Sequence, residues 1–222
     1  MERKWIGSEG LKVIAYGAML VDHIGAVFVP WIWLRVIGRI AFPIFCFLLC
    51  EGVGHTSDPK RYALRLALGA VLSEVPFDLL FFGGIDLERS SVMVTLLLGL
   101  PVVWCVRRGV KPWVQMVVIA LAVMLAELTE SDYGGMGILM ILVFAFEMHW
   151  GLRLGLMGLL CWSMGGAEMS VVGIAMPVQV FAVAALVPIG MYSGEKRWKS
   201  PVLKWGWYLF YPVHLWILWL FR

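Results

Sequence analysis

Residues 36–54 read VIGRIAFPIFCFLLCEGVG, an apolar run that carries only two charged side chains, Arg39 and Glu51. A helix needs about 20 apolar residues to cross a bilayer, and this run has that length. Similar runs fill the chain: 61% of its 222 residues are hydrophobic, 15% are charged, and the mean hydropathy is +0.86. Soluble domains carry about 25% charged residues. The composition therefore excludes a disordered chain, argues against a soluble enzyme and predicts a polytopic membrane protein.

Charged or glycine- and proline-rich breaks divide the apolar runs into about nine predicted helices. These lie near residues 11–30, 36–54, 61–83, 91–107, 113–129, 135–149, 151–165, 171–192 and 203–221. The sixth and seventh are short and fit thin spans, a re-entrant pair or one kinked element. None of the runs shows the period-two alternation of membrane barrel strands. We predict an all-α integral membrane bundle of eight to ten helices, with short loops and a single domain over residues 1–222.

The positions of Lys and Arg predict a cytoplasmic N-terminus. With nine crossings, the cytoplasmic side carries most of the 18 basic residues, namely Arg3, Lys4, Lys12, Lys60, Arg61, Arg65, Arg107, Arg108, Lys111, Arg153, Lys196, Arg197, Lys199 and Lys204. The outer side receives Arg35, Arg39, Arg89 and Arg222. Topology therefore explains the net charge of +3, and we expect no nucleic-acid partner.

Ionisable side chains within the apolar runs are the main functional signal. Each costs roughly 2.5–3.5 kcal/mol to insert and usually marks a functional site. A helical rise of about 1.5 Å per residue puts five of them at similar depth in the outer half of the membrane: His23, Arg39, Glu74, Asp78 and His214. We expect these side chains to meet, together with Asp22, and Arg39 is the natural counter-ion for one of the carboxylates. A buried Arg–carboxylate pair can also serve only to lock helices together.

Glu74 and Asp78 are four residues apart, so they share one helix face, with Pro76 loosening the helix between them. Two neighbouring cytoplasmic connections concentrate basic side chains, which fit either positive-inside topology or a docking site for an anionic cosubstrate: His55, Lys60, Arg61, Arg65, Arg107 and Arg108. Cys46 and Cys50 lack an obvious third ligand, so we expect no metal site.

Several motifs across nearly the whole chain together resemble the TraX family. They are Asp22-His23-Ile24-Gly25, Gly38-Arg39-Ile40-Ala41-Phe42-Pro43-Ile44-Phe45, Ser73-Glu74-Val75-Pro76-Phe77-Asp78-Leu79, Asp132-Tyr133-Gly134 and Phe210-Tyr211-Pro212-Val213-His214-Leu215. Where the resemblance leads us to expect an asparagine before the fourth helix, this chain has Ser90-Ser91.

The family takes its name from a membrane acetylase that acts on the N-terminus of a conjugative pilin. The resemblance implies a bacterial inner-membrane acyltransferase that moves acetyl from cytoplasmic acetyl-CoA to an amine or hydroxyl acceptor. That acceptor is a protein N-terminus, a saccharide or a small amine.

In such a transferase we expect His23 or His214 to act as the base, and Asp22, Glu74 or Asp78 to orient the imidazole. The side chains expected to bind substrate are Arg39, Glu51, Asp132, Tyr133 and Tyr211. The basic residues of the cytoplasmic side would meet the CoA phosphates.

Two other functional classes fit the same residues. Intramembrane acids and histidines also suit a proton-coupled transporter of small solutes, although the sequence shows no inverted repeat. A non-catalytic assembly factor would tolerate neutral replacements in the polar cluster.

Overall fold

The computed structural model describes residues 5–86, 88–171, 173–195 and 201–222, with the side chains of residues 201–204 set aside. The topological assignments of Arg3, Lys4, Lys196, Arg197 and Lys199 lie outside the described residues, as does the side chain of Lys204. The described chain is mostly helical. Its first helices are α1 (Ser8–Val27), α2 (Ile32–Gly38), α3 (Ala41–His55), α4 (Pro59–Phe81) and α5 (Val92–Arg107).

The second half of the chain adds α6 (Pro112–Leu128), α7 (Gly134–Ala145) and α8 (Trp150–Ser163). A hairpin follows, made of β1 (Glu168–Val171) and β2 (Ile174–Pro177), and it leads into a 3-10 helix, Val178–Ala185. The helices α9 (Leu186–Gly190) and α10 (Pro201–Leu220) complete the described chain.

Two segments are long and apolar enough to cross a membrane by length and composition. One is Ser8–Val27, with 20 residues, and the other is Ile32–His55, with 24 residues, in which α2 runs into α3. Arg39 joins α2 to α3 in helical conformation, with φ −58° and ψ −25°. Val92–Arg107, Pro112–Leu128, Gly134–Ala145 and Val178–Gly190 are shorter apolar helices. The membrane-helix character of the chain is thus supported, and the bundle of about nine spans stays a prediction.

The predicted eighth helix, 171–192, is wrong over its first residues. Val171 pairs with Ile174 and Glu168 with Pro177 in an antiparallel hairpin. Gly173 has a φ of +81°, a left-handed conformation that turns the chain back and that glycine adopts without steric cost. The β-branched residues on either side favour strand conformation. Hydropathy alone could not separate this hairpin from a helix.

The sixth and seventh predicted spans correspond to α7 and α8, which have 12 and 14 residues. Their separation excludes one of the three predicted arrangements. Residues 146–149 separate the two helices, so they are not one kinked element. The imidazole Nδ1 of His149 accepts a hydrogen bond from the Gly151 amide at 3.1 Å and caps the start of α8.

The described chain divides into two compact units. The first consists of residues 1–48 and 148–204, and the second of residues 49–147 and 205–222. In the first unit, α2 packs against α1 and the 3-10 helix, and α8 packs against the 3-10 helix and β2. In the second unit, α5 packs against α4, α6 and α7, and α6 packs against α7.

Candidate functional site

The first unit contains a buried ion-pair cluster centred on Asp22. Nη2 of Arg39 lies 2.6 Å from Oδ1 and 2.7 Å from Oδ2 of this aspartate. Arg35 lies on α2, four residues before Arg39: its Nη1 donates to Oδ2 at 2.7 Å and to the Asp22 backbone carbonyl at 3.1 Å. The Asp22 side chain is only 11% exposed. The prediction that Arg39 is the counter-ion of a carboxylate within the apolar runs is confirmed.

Two glycines let α1 and α2 approach closely enough for this cluster to form. A β-carbon at Gly38 would overlap the Asp22 carboxylate, and one at Gly25 would lie 2.6 Å from the Leu34 β-carbon. Next in sequence to Asp22, His23 is partly exposed, whereas Asp22 is buried. Because consecutive residues on a helix point about 100° apart, the two side chains lie on different sides of α1.

In the second unit, Glu74 binds the start of α5. Its Oε1 accepts a hydrogen bond from the Ser91 hydroxyl at 2.6 Å and another from the Ser91 amide at 3.2 Å. The Ser73 hydroxyl lies 3.3 Å from the Ser91 hydroxyl and also donates to carbonyls of its own helix. A carboxylate that accepts several hydrogen bonds is stabilised by them, so Glu74 can stay partly buried on α4.

Tyr211 brings several predicted substrate-binding residues together. Its side chain is fully buried and hydrogen-bonds Ser91, and it lies close enough to Glu74, Asp132 and Tyr133 for electrostatic interaction. The Asp132 amide donates to the Ser90 carbonyl at 3.0 Å, which anchors the segment before α7. Since Tyr211 is far in sequence from the adjacent residues Asp132 and Tyr133, the tertiary fold creates this polar cluster.

Further along α4, Asp78 is 3% exposed, and its two oxygens differ. Oδ2 accepts a hydrogen bond from the Asp86 amide at 3.0 Å, whereas Oδ1 has no hydrogen-bond partner within the described part of the chain.

His214 on α10 is also buried, and its Nδ1 lies 2.9 Å from the Phe210 carbonyl. A carbonyl can only accept, so Nδ1 carries a proton, and in the neutral imidazole Nε2 is then the nitrogen with the basic lone pair.

The basic residues predicted to bind a cosubstrate all belong to the second unit. Because α4 and α5 pack together and Glu74 meets Ser91, the start of α4 and the end of α5 lie at the same end of this helix pair. Lys60, Arg61, Arg107 and Arg108 are exposed there. The sequence prediction that they share one end is therefore supported by the packing.

Arg65 differs from the other basic residues at this end. Its guanidinium lies 6.0 Å from the ring centroid of Tyr62 and 5.8 Å from that of Tyr208, so two aromatic faces hold it. Its Nε is buried without a hydrogen-bond acceptor in the described ranges. A guanidinium fixed in this way is preorganised to bind a phosphate.

Glu51 and His55, predicted to bind substrate and cosubstrate, lie one turn apart on α3. Nδ1 of His55 is 2.9 Å from the Glu51 carbonyl and 3.9 Å from its carboxylate. The His55 side chain is about half exposed. A local interaction thus accounts for the position of this histidine.

The residues expected to form one cluster are distributed over the two units. Asp22, His23 and Arg39 belong to the first, whereas Glu74, Asp78 and His214 belong to the second. Each group is held by contacts within its own unit, and a single site containing all of them stays a prediction.

Sequence reasoning misses three side chains of these clusters. The sequence uses Arg35 only to predict the topology. It predicts no functional role for Ser91 or Gln179. The carbonyl oxygen of Gln179 accepts a hydrogen bond from Arg39 Nη1 at 3.2 Å, across 140 positions of sequence. The only signal available is that glutamine is rare in apolar runs.

Comparisons with known proteins give one matching family and two curated relatives. The family described as TraX protein matches residues 7–222 of this chain. The chain is 28% identical over 235 residues to the probable fimbrial assembly protein FimC, serogroup H1, of Dichelobacter nodosus, which covers 94% of this chain and 92% of that protein. It is also 28% identical over 144 residues to the uncharacterized protein RP591 of Rickettsia prowazekii (strain Madrid E), over 63% of this chain and 55% of that protein. No solved structure matches the chain.

Proposed function

Because the chain belongs to the TraX family, we propose that it is a membrane-embedded acyltransferase that moves an acetyl group from acetyl-CoA to an amine or hydroxyl acceptor. A relative along nearly the whole chain is named as a probable fimbrial assembly protein. This name supports a role associated with pilin, with the N-terminus of a pilin subunit as the first acceptor to test. A saccharide and a small amine are the other acceptors of matching chemistry.

The observation that carries the proposal is the arrangement along α4. One end of this helix carries Arg65 and exposed basic side chains, and the same helix later carries Glu74 and Asp78. Nine residues separate Arg65 from Glu74, a rise of about 13 Å and about two and a half turns, so a bound donor has to pass from one face of α4 to the other. An acyl donor with phosphates at one end and a thioester at the other has the matching distribution of charge.

The buried Nε of Arg65 separately supports the binding of the donor phosphates at this end of α4. A guanidinium N–H without an acceptor is costly to bury, and a phosphate oxygen would satisfy it. Tyr62 and Tyr208 fix the guanidinium plane, so little side-chain entropy is lost when the phosphate binds. Lys60, Arg61, Arg107 and Arg108 add positive potential at the same end.

The chain itself needs to supply a base and donors for the developing oxyanion. The acceptor nitrogen or oxygen forms a bond to the acyl carbon, the carbon–sulfur bond breaks, and CoA leaves as the thiol. We propose that His214 or His23 takes the acceptor proton and passes it to the leaving sulfur. Tyr211, Tyr133 and Arg39 are proposed to bind the acceptor or the oxyanion.

The test is acyl transfer by the purified full chain in lipid nanodiscs. Acetyl-CoA with an isotopically labelled acetyl group is incubated with a purified pilin or with a peptide that carries its N-terminus. We expect the label on the acceptor by mass spectrometry, and one thiol released per acetyl group transferred. The proposal fails if the folded protein neither binds acetyl-CoA nor labels any acceptor.

A second candidate function is a non-catalytic assembly factor, which the name of the fimbrial relative favours. The two functions predict different effects of replacing Glu74 and His214. A transferase loses acetyl transfer and the dependent assembly together in Glu74→Gln and His214→Gln variants. An assembly factor keeps pilus assembly in both variants and leaves the acceptor unmodified in the wild type.

A further inference from the structure

Gln179 is a buried carboxamide with one satisfied and one unsatisfied end. It lies on the 3-10 helix Val178–Ala185 of the first unit and is 6% exposed. Its Oε1 accepts a hydrogen bond from Arg39 Nη1 at 3.2 Å. Its Nε2 is buried and has no hydrogen-bond acceptor among the residues that the structure describes.

The contact with Arg39 determines the positions of the oxygen and the nitrogen in the Gln179 carboxamide. A guanidinium only donates hydrogen bonds, so the atom that faces it has to be the Gln179 oxygen. Turning the amide over would place two donors against each other and leave the buried oxygen without its partner. Nε2 therefore points away from Arg39, with two hydrogens to donate.

A buried donor left without an acceptor costs about 1–3 kcal/mol, so an unsatisfied group of this kind favours binding of an acceptor that the described chain does not supply. The partner has to be a hydrogen-bond acceptor. Two guanidinium groups meet at Asp22 beside the carboxamide, and their positive potential favours an oxygen that carries partial negative charge. It disfavours a cation.

We propose that the Gln179 carboxamide is a binding site for the carbonyl oxygen of a ligand. Arg39 orients the carboxamide, and Asp22 in turn holds Arg39. The 3-10 helix delivers Gln179 because it packs against α2. This inference goes beyond the proposed acyl transfer, because the site binds a carbonyl oxygen whether or not acetyl-CoA is the donor.

The composition of the chain gives the proposal a direct spectroscopic test. The sequence has two glutamines, Gln115 and Gln179, and no asparagine, so a uniformly 15N-labelled protein shows two side-chain carboxamide groups. Gln115 is an internal control because its Nε2 already donates to the Val110 carbonyl at 2.7 Å. Gln179→Glu and Gln115→Glu variants assign the two resonances.

The probe is dimethylacetamide, and its control is 2-methylbutane, an uncharged molecule of the same shape without the carbonyl oxygen. We expect dimethylacetamide to shift the Gln179 carboxamide signals in a saturable way, while those of Gln115 stay in place. The hydrocarbon should move neither. The proposal is overturned if both carboxamides shift in parallel, or if Gln179 exchanges magnetisation with water and does not respond to the carbonyl probe.

A kinetic readout separates binding from folding. Gln179→Glu keeps an oxygen toward Arg39 and removes both donors, so we expect the protein to fold. If the proposed function holds and a peptide carbonyl of the acceptor is the ligand, the acceptor KM should rise about fivefold, the effect of about 1 kcal/mol. Gln115→Glu should leave KM unchanged. If the wild-type protein transfers no acetyl group, the proposed function is refuted. The shift of the Gln179 signals on addition of the carbonyl probe then still tests whether Gln179 binds a carbonyl oxygen. Unchanged KM and unchanged signals together refute the site alone.

Discussion

Ser91 binds Glu74 twice, through its hydroxyl at 2.6 Å and its backbone amide at 3.2 Å. The two residues are separated by 17 positions, and their contact ties the first residue before α5 to the middle of α4. The pair therefore links α4 to α5, and it holds a carboxylate that lies close to Tyr211.

Ser91→Ala should lower the free energy of unfolding by about 1.5–3 kcal/mol, since a hydrogen bond to a charged group is lost. Ser91→Asn should retain most of the stability, because asparagine can also donate to the carboxylate and is favoured at a helix N-cap. Denaturant titration in detergent measures both. The matched control is Ser90→Ala, and equal losses at Ser90 and Ser91 would contradict the assignment.

Gly38→Ala should break the Asp22 cluster, because the new methyl group overlaps the aspartate side chain. Overpacking of this kind costs about 1–3 kcal/mol, and at Gly38 it also separates an ion pair. Gly17→Ala in α1 is the control, since its β-carbon meets nothing within 4 Å. That change should be neutral or stabilising by up to about 1 kcal/mol. Thermal unfolding distinguishes the two, and similar midpoints would be evidence against the close packing at Gly38.

Arg39→Lys should destabilise the protein more than Arg35→Lys. Both arginines bind Asp22, but the Arg39 side chain is 17% exposed, whereas that of Arg35 is 34% exposed. Lysine cannot contact Asp22 and Gln179 with separate nitrogens as a guanidinium does. We expect a difference of about 1 kcal/mol in denaturant titrations. A larger loss at Arg35 would mean that Arg35, and not Arg39, is the main partner of Asp22.

His214→Gln should reduce acetyl transfer by about 10²–10⁴-fold, the range for loss of a general base, if His214 is that base. Glutamine keeps a donor near the Phe210 carbonyl, so the fold should survive. His55→Gln is the control because that imidazole is half exposed and interacts within its own helix. Full activity in His214→Gln would assign the base to His23, and the same assay on His23→Gln would then show the loss.

Arg65→Leu should raise the KM for acetyl-CoA by about tenfold, equivalent to about 1.4 kcal/mol, with a smaller change in kcat. Arg61→Leu should have a weaker effect because Arg61 is exposed and already pairs with Asp58 at 3.0 Å. Steady-state kinetics with varied acetyl-CoA measures the split between KM and kcat. Equal effects at the two positions would mean that the basic end binds the donor only through general charge.

Much of the helical order follows from local sequence. The predicted runs 61–83, 91–107 and 113–129 correspond to Pro59–Phe81, Val92–Arg107 and Pro112–Leu128, with ends shifted by one or two residues. Asp58 caps α4 through a hydrogen bond from the Arg61 amide, and proline occupies the first position of both α4 and α6. These signals are local, so hydropathy, caps and proline positions are enough to locate the helices.

The hairpin at 168–177 shows where this local reasoning fails. Its residues are as apolar as those of a helical span. The positive φ of Gly173 and the pairing of Val171 with Ile174 nevertheless show that it forms two strands. The pairing joins residues across a turn, and hydropathy averaged over a window does not detect it.

The sequence by itself determined the family, the helical character and the choice of Asp22, Arg39, Glu74, Asp78 and His214 as unusual polar residues in apolar runs. It could do so because the cost of burying charge is a property of each residue and its neighbours in the chain. Only the tertiary structure decided which partner each of them has. Ser91 for Glu74, Arg35 for Asp22 and Gln179 for Arg39 are chosen by helix packing over long sequence distances, and hydrogen bonds depend on atomic distances that hydropathy does not encode.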